Sequence, residues 1–132
     1  MHGAQISDMS PLSELSNLTS ISLNGTKISD ISPLIGLNNL TNLTLEFNEI
    51  SDISSLSGLT SLTHLGLRKN RLSDVTPLVG LTSLVHLDLR ENEITDISPL
   101  LSLTNLTRVE LSGNQISDWS PVANVEVVEG RP

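Results

Sequence analysis

Two histidines stand 22 residues apart, His64 and His86, and Asp88 follows close behind the second. Imidazole and carboxylate together suit zinc. A histidine beside an aspartate is also part of a hydrolytic triad. Neither chemistry is complete here. A metal site needs several ligands converging on one ion, and a triad needs a water-excluding pocket with an oxyanion donor. No P-loop, GxGxxG, HExxH or GxSxG stretch occurs. No cysteine is present to serve as a nucleophile or a zinc thiolate. The expectation is a non-enzyme with no metal and no cofactor. The other chemistry-bearing residues are Glu46, Phe47, Arg68, Lys69, Arg90, Arg108 and Glu110. These types suit recognition, because arginine and aromatic side chains dominate the energetics of protein contacts.

The elements that position these residues are written as a period of 22. One apolar column runs Leu18, Leu40, Leu62, Leu84, Leu106. Further columns run Ile21, Leu43, Leu65, Leu87, Val109, then Leu23, Leu45, Leu67, Leu89, Leu111. The second half of each period supplies Ile28, Ile50, Leu72, Ile94, Ile116, then Leu34, Leu56, Leu78, Leu100 and Leu37, Leu59, Leu81, Leu103. In LTLEF apolar and polar residues alternate, which predicts a short strand buried on one face. Pro33, Pro77, Pro99 and Pro121 forbid a further strand. Ser32-Pro33-Leu34 fits a serine cap with proline in the first helical position, and only a short 3₁₀-like turn has room there. A single coil of this kind cannot bury its own leucines, so the coils must stack.

Polar residues recur as strictly as leucines. Asn48, Asn70, Asn92 and Asn114 fall just past each strand, where backbone groups turn inward without a sheet partner. An amide supplies both a donor and an acceptor there, so the column reads as structural. Asp8, Asp30, Asp52, Asp74, Asp96 and Asp118 form a second column. Stacking places them about 5 Å apart, where like charges repel. The expected compensation is hydrogen bonding to turn N–H groups rather than a calcium ladder. Asn17, Asn24, Asn39, Asn42 and Asn105 each open an N-x-[ST] triplet, which the repeat template generates by itself.

The LxxLxLxxN motif, continued by I-S-D-I-S-P-L-x-x-L as in Ile28 to Leu37 and Ile94 to Leu103, resembles the leucine-rich repeat. It is similar to the 22-residue internalin-type subclass. The resemblance implies an α/β-type repeat solenoid. That is a right-handed coil with a parallel β-sheet on its concave face and short 3₁₀ or extended convex segments. One domain of about five to six repeats is expected over residues 1–132. Thr26 and Ala4 depart from the asparagine pattern, and Ser55 replaces a proline.

The resemblance also directs attention to the outward positions of the strands, where such proteins commonly bind partners. The rows read Ser20, Asn42, His64, His86, Arg108, then Ser22, Thr44, Gly66, Asp88, Glu110. Next come Asn24, Glu46, Arg68, Arg90, Ser112, then Gly25, Phe47, Lys69, Glu91, Gly113. The expected partner-binding set is Glu46, Phe47, His64, Arg68, Lys69, His86, Asp88, Arg90, Arg108 and Glu110. Phe47 is read as outward, either touching a partner or lying over neighbouring coils. Arg68 and Arg90 read first as a solvated cross-strand charge lattice.

The net charge of −8 disfavours nucleic acid and anionic membranes. No apolar run reaches the roughly 20 residues of a membrane span. MHGAQISD lacks the features of a signal peptide. Trp119, in a column otherwise held by Ile or Val, reads as a plug for the last coil. Val122, Val125 and Val128 continue the leucine columns, and Arg131 ends the pattern. The N-terminal coil lacks a full cap, which leaves self-association through that end open. The function implied is a protein-interaction module of a bacterial surface or secreted protein. The alternatives are a structural spacer and an intracellular phosphatase-regulator-like repeat subunit.

Overall fold

One inward residue between two sheet-face residues makes each of the first five short strands of the chain. A computed structural model describes residues 9–132. The expectations placed on Ala4, Asp8 and the MHGAQ segment lie outside the described residues. The strands are β1 (Ser20–Ser22), β2 (Asn42–Thr44), β3 (His64–Gly66), β4 (His86–Asp88), β5 (Arg108–Glu110) and β6 (Val127–Glu129). They form one parallel sheet in sequence order. Ile21 lies opposite Leu43, Leu43 opposite Leu65, Leu65 opposite Leu87, and Leu87 opposite Val109. The backbone ladder continues past the strand ends. Leu45 N–H donates to the Gly66 carbonyl at 2.8 Å and Phe47 N–H to that of Arg68 at 2.9 Å.

On the opposite side of each coil lie 3₁₀ segments at Ser10–Glu14, Ser32–Leu34, Ser54–Leu56, Thr76–Leu78, Ser98–Ser102 and Ser120–Val122. None of them has a side-chain cap hydrogen bond, so the expected serine cap is absent. Asp30, Asp52, Asp74, Asp96 and Asp118 each accept the backbone N–H two residues on, at 2.9–3.0 Å. A carboxylate placed two residues before that N–H closes a tight ring, which the serine hydroxyl inside the turn cannot do. These bonds hold the carboxylates below their ordinary range, against the weaker upward push of Asp52 on Asp30. Ser54–Leu56 adopts the same turn without proline, so the aspartate suffices to set it.

Between sheet and turns the core is almost wholly aliphatic. Leu34, Leu40, Leu56, Leu62, Leu78 and Leu84 are all 0% exposed. The asparagine column closes the strand-side corner. The Asn70 amide donates to the Leu67 carbonyl of its own coil and the Leu45 carbonyl of the preceding one. Its oxygen accepts the Ile50 N–H at 3.0 Å. Asn48, Asn92 and Asn114 repeat this clasp. Thr26 fills its slot differently, with its hydroxyl donating to the Leu23 carbonyl.

The last coil departs from the expected pattern. Val128, not residue 131, lies opposite Val109. Three residues are missing between Val125 and the strand, so Val128 leaves the column headed by Leu18. A sixth strand then forms where strict counting ends the repeat. Glu129 secures it. Burial pushes its carboxyl upward, but hydrogen bonds from Ser112 and Leu111 outweigh that and lower it. Trp119 is half-buried against the core, consistent with a plug.

Candidate protein-interaction face

The solvent side of the sheet brings the non-repeating residues into rows. His64 and His86 are register partners, as are His86 and Arg108. The two imidazoles meet edge-on, with centroids 6.0 Å apart. His64 contacts the Thr63 hydroxyl, and His86 turns to Glu110, with Nε2 to Oε1 at 2.6 Å. Asp88 is not the partner of either ring. Among the described residues, no group of three or more His, Asp or Glu side chains converges as metal ligands do.

Asp88 and Glu110 both point from the sheet yet are buried, at 6% exposure each. The side chain of Arg90 covers them. Its guanidinium donates to both oxygens of Asp88, at 2.9 and 2.7 Å, and reaches Glu110 Oε2 at 2.9 Å. Arg108 Nε donates to Glu110 Oε1 at 3.1 Å. Hydrogen bonding to Asp88 raises the Arg90 pKa further, despite burial. Thus two of the expected contact residues lie beneath two others. Arg90 and Arg108 stand between the acids and solvent.

The fourth row proves to be a turn column. Phe47, Lys69 and Glu91 have φ of 58°, 56° and 57°, and Gly25 and Gly113 share the left-handed conformation. Left-handed backbone costs an L-residue with a Cβ about 1–2 kcal/mol, and a phenylalanine there is an outlier. Phe47 is 45% exposed. Arg68 stands 5.4 Å and Lys69 5.6 Å from its ring centroid, within cation–π range. Arg68 also binds Glu91 at 2.7 Å. The charge lattice and the exposed aromatic therefore coexist, the lattice over β4 and β5 and the aromatic patch over the turns after β2 and β3.

The family model for leucine-rich repeats in two copies matches residues 37–81 and 82–124. The chain belongs to the leucine-rich repeat family. Among solved structures it is similar to internalin C2 of Listeria monocytogenes, with 43% identity and a TM-score of 0.93 over 97% of this chain and 58% of that one. It is also similar to an internalin, InlF, of the same organism, with 35% identity and a TM-score of 0.92 over 97% of this chain and 39% of that one. A leucine-rich repeat protein of Leptospira interrogans matches at 25% identity and a TM-score of 0.85, over 94% of this chain and 34% of that one. The chain thus spans little more than half of internalin C2 and less of the other two. No curated protein matches it. Within the repeat family it is internalin-like, and the sheet described above is the concave face of that solenoid.

Of the ten expected contact residues, this repeat protein exposes Phe47, His64, Lys69 and Arg108 on the concave side, with Glu46, Arg68, His86 and Arg90 half-buried. Gly66 has no role legible in the sequence, yet it shapes the face. It is the one member of its row without a side chain, and a depression of about 230 Å³ opens there between Thr44, Glu46, His64, His86 and Asp88.

Proposed function

We propose that this chain is a non-catalytic protein-binding module that reads its partner through the concave face, as part of a bacterial surface or secreted protein. The observation that carries the reading is Phe47. Its side chain is exposed, its backbone is held left-handed, and two cations flank its ring. A glycine would serve the turn at lower cost, as in the first and fifth coils, so the aromatic group earns its place through its surface. The internalin likeness supports the location. No helix among the described residues is long and apolar enough to cross a membrane.

A spacer role is the second reading, favoured by the self-contained pairing of Arg90, Asp88 and Glu110. The test is capture of surface proteins by immobilised chain, compared with a Phe47→Ala/Lys69→Glu variant of unchanged urea midpoint. Arg90 is avoided because its removal strips buried acids of their partner. A binder loses its captured protein in the variant. No capture leaves the spacer, and identical capture refutes the role given to Phe47 and Lys69.

A further inference from the structure

The row across the middle of the sheet reads Ser22, Thr44, Gly66, Asp88, Glu110, and its gap is at Gly66. The gap is not demanded by the backbone, because Gly66 is absent from the left-handed residues. A Cβ built there meets Glu46 Oε1 at 2.9 Å and the Thr44 methyl at 3.3 Å. The Glu46 carboxylate therefore overhangs the gap. It differs from the other acids of this face. Asp88 and Glu110 are engaged by Arg90, Arg108 and His86, and Glu91 by Arg68. No described group donates a hydrogen bond to the Glu46 carboxylate. Burial, then Asp88, raise its pKa, and Arg90 and Arg68 oppose this only through space. A half-buried carboxylate without a donor is an incomplete interaction.

We propose that the depression over Gly66 receives a lysine side chain of the protein partner, whose ammonium meets the Glu46 carboxylate. This deepens the concave-face reading and rests on it for the source of the lysine. The depression, at about 230 Å³, falls below the roughly 300–1,000 Å³ of small-molecule sites, so it suits one inserted side chain. A lysine is a compact charge on a slender stem. Its methylenes pass the Thr44 methyl and Leu65, and its head needs only one free carboxylate. A guanidinium is a broad planar fork that favours bidentate pairing, whereas the gap is that of one missing side chain beneath a single carboxylate oxygen. The chain's net charge of −8 draws such a cation toward the surface.

The test needs no partner, so its result is separate from that of the capture experiment. Amide spectra of the ¹⁵N-labelled chain are recorded against the blocked peptide acetyl-Gly-Lys-Gly-amide. The controls are the same peptide carrying norleucine, and the chain variants Glu46→Gln and Gly66→Ala. The alanine should fold, since its Cβ meets the far end of a flexible side chain rather than backbone. Expected are saturable shifts centred on Thr44–Glu46 and Gly66, with binding at least about tenfold weaker in both variants and for norleucine, the equivalent of one charge-assisted hydrogen bond. The proposal is overturned if norleucine binds equally, if Glu46→Gln retains binding, if nothing shifts, or if the shifts map instead to the Asp30–Asp118 column.

Discussion

Replacing Asn70 by alanine isolates the energetic worth of the inter-coil clasp. The amide makes three bonds of 3.0–3.1 Å in a site only 8% exposed. Their loss is unequal. The Leu45 carbonyl keeps Asn48 as a donor, and the Leu67 carbonyl keeps Asn92. Only the Ile50 N–H is left with no acceptor. That orphan costs about 1–3 kcal/mol, and each bond removed from a carbonyl that retains a partner about 0.5–1.5 kcal/mol. With partial relaxation the total expected is about 2–4 kcal/mol, a large share of a typical domain's stability. The assay is urea unfolding followed by circular dichroism, with the slope checked because repeat arrays can unfold in parts. Asn114→Ala is the internal comparison. It removes the same three bonds, but at a half-buried end position that water reaches, so its cost should be smaller. Asn70→Asp should be worse than alanine at neutral pH, because a carboxylate then faces two carbonyls. A loss below about 0.5 kcal/mol for Asn70→Ala, within the range of ordinary surface changes, refutes the reasoning. So does a loss no larger than that of Asn114→Ala.

Arg90→Ala leaves Asp88 and Glu110 buried without their guanidinium and should cost about 2–3 kcal/mol, reduced from the fully buried case because Arg90 is partly exposed. Arg68→Ala, at an exposed pair, should stay within about 1 kcal/mol; both are read from urea midpoints. Phe47→Gly should be neutral or stabilising by up to about 1 kcal/mol, while partner capture falls. Relief of the left-handed backbone there exceeds the worth of the exposed cation–π pairs that the ring makes. The aspartate column sets the acid response. Its carboxyls titrate below their unfolded value of 3.8, so their contribution is complete above that value and disappears as pH falls through the folded pKa values. The urea midpoint should drop below about pH 4. Asp52→Asn/Asp74→Asn, which keeps the acceptor oxygens, should flatten that drop.

The sequence made the solenoid legible because its columns answer to burial, which has no alternative solution at a period of 22. The Asn48–Asn114 ladder and the hydrogen-bonded aspartates followed from counting backbone groups, and both are present. What escaped depends on side-chain conformation or on a break in the period. Alternation places Asp88 and Glu110 outward, but not that Arg90 folds back over both. Phe47, Lys69 and Glu91 carry no turn signature of their own; Gly25 and Gly113, in the same column, were the available signal. The three-residue deletion before Val128 disguised β6, because strict counting put Arg131 in the strand. Gly66 is only an empty place in a row of letters; that Glu46 leans over it is a matter of rotamer, which the row does not carry.

The left-handed column also bears on how this surface can change over generations. At most exposed positions outside the columns a side chain is free to drift while the fold is indifferent. At 47, 69 and 91 every residue other than glycine burdens its own coil, so random drift should run steadily back toward glycine. A side chain that persists there is held by use. These three positions therefore give a ranking of the surface that needs no knowledge of the ligand. Descendants without the proposed partner contact should show its loss first as glycines appearing in the middle coils, as already stand at 25 and 113.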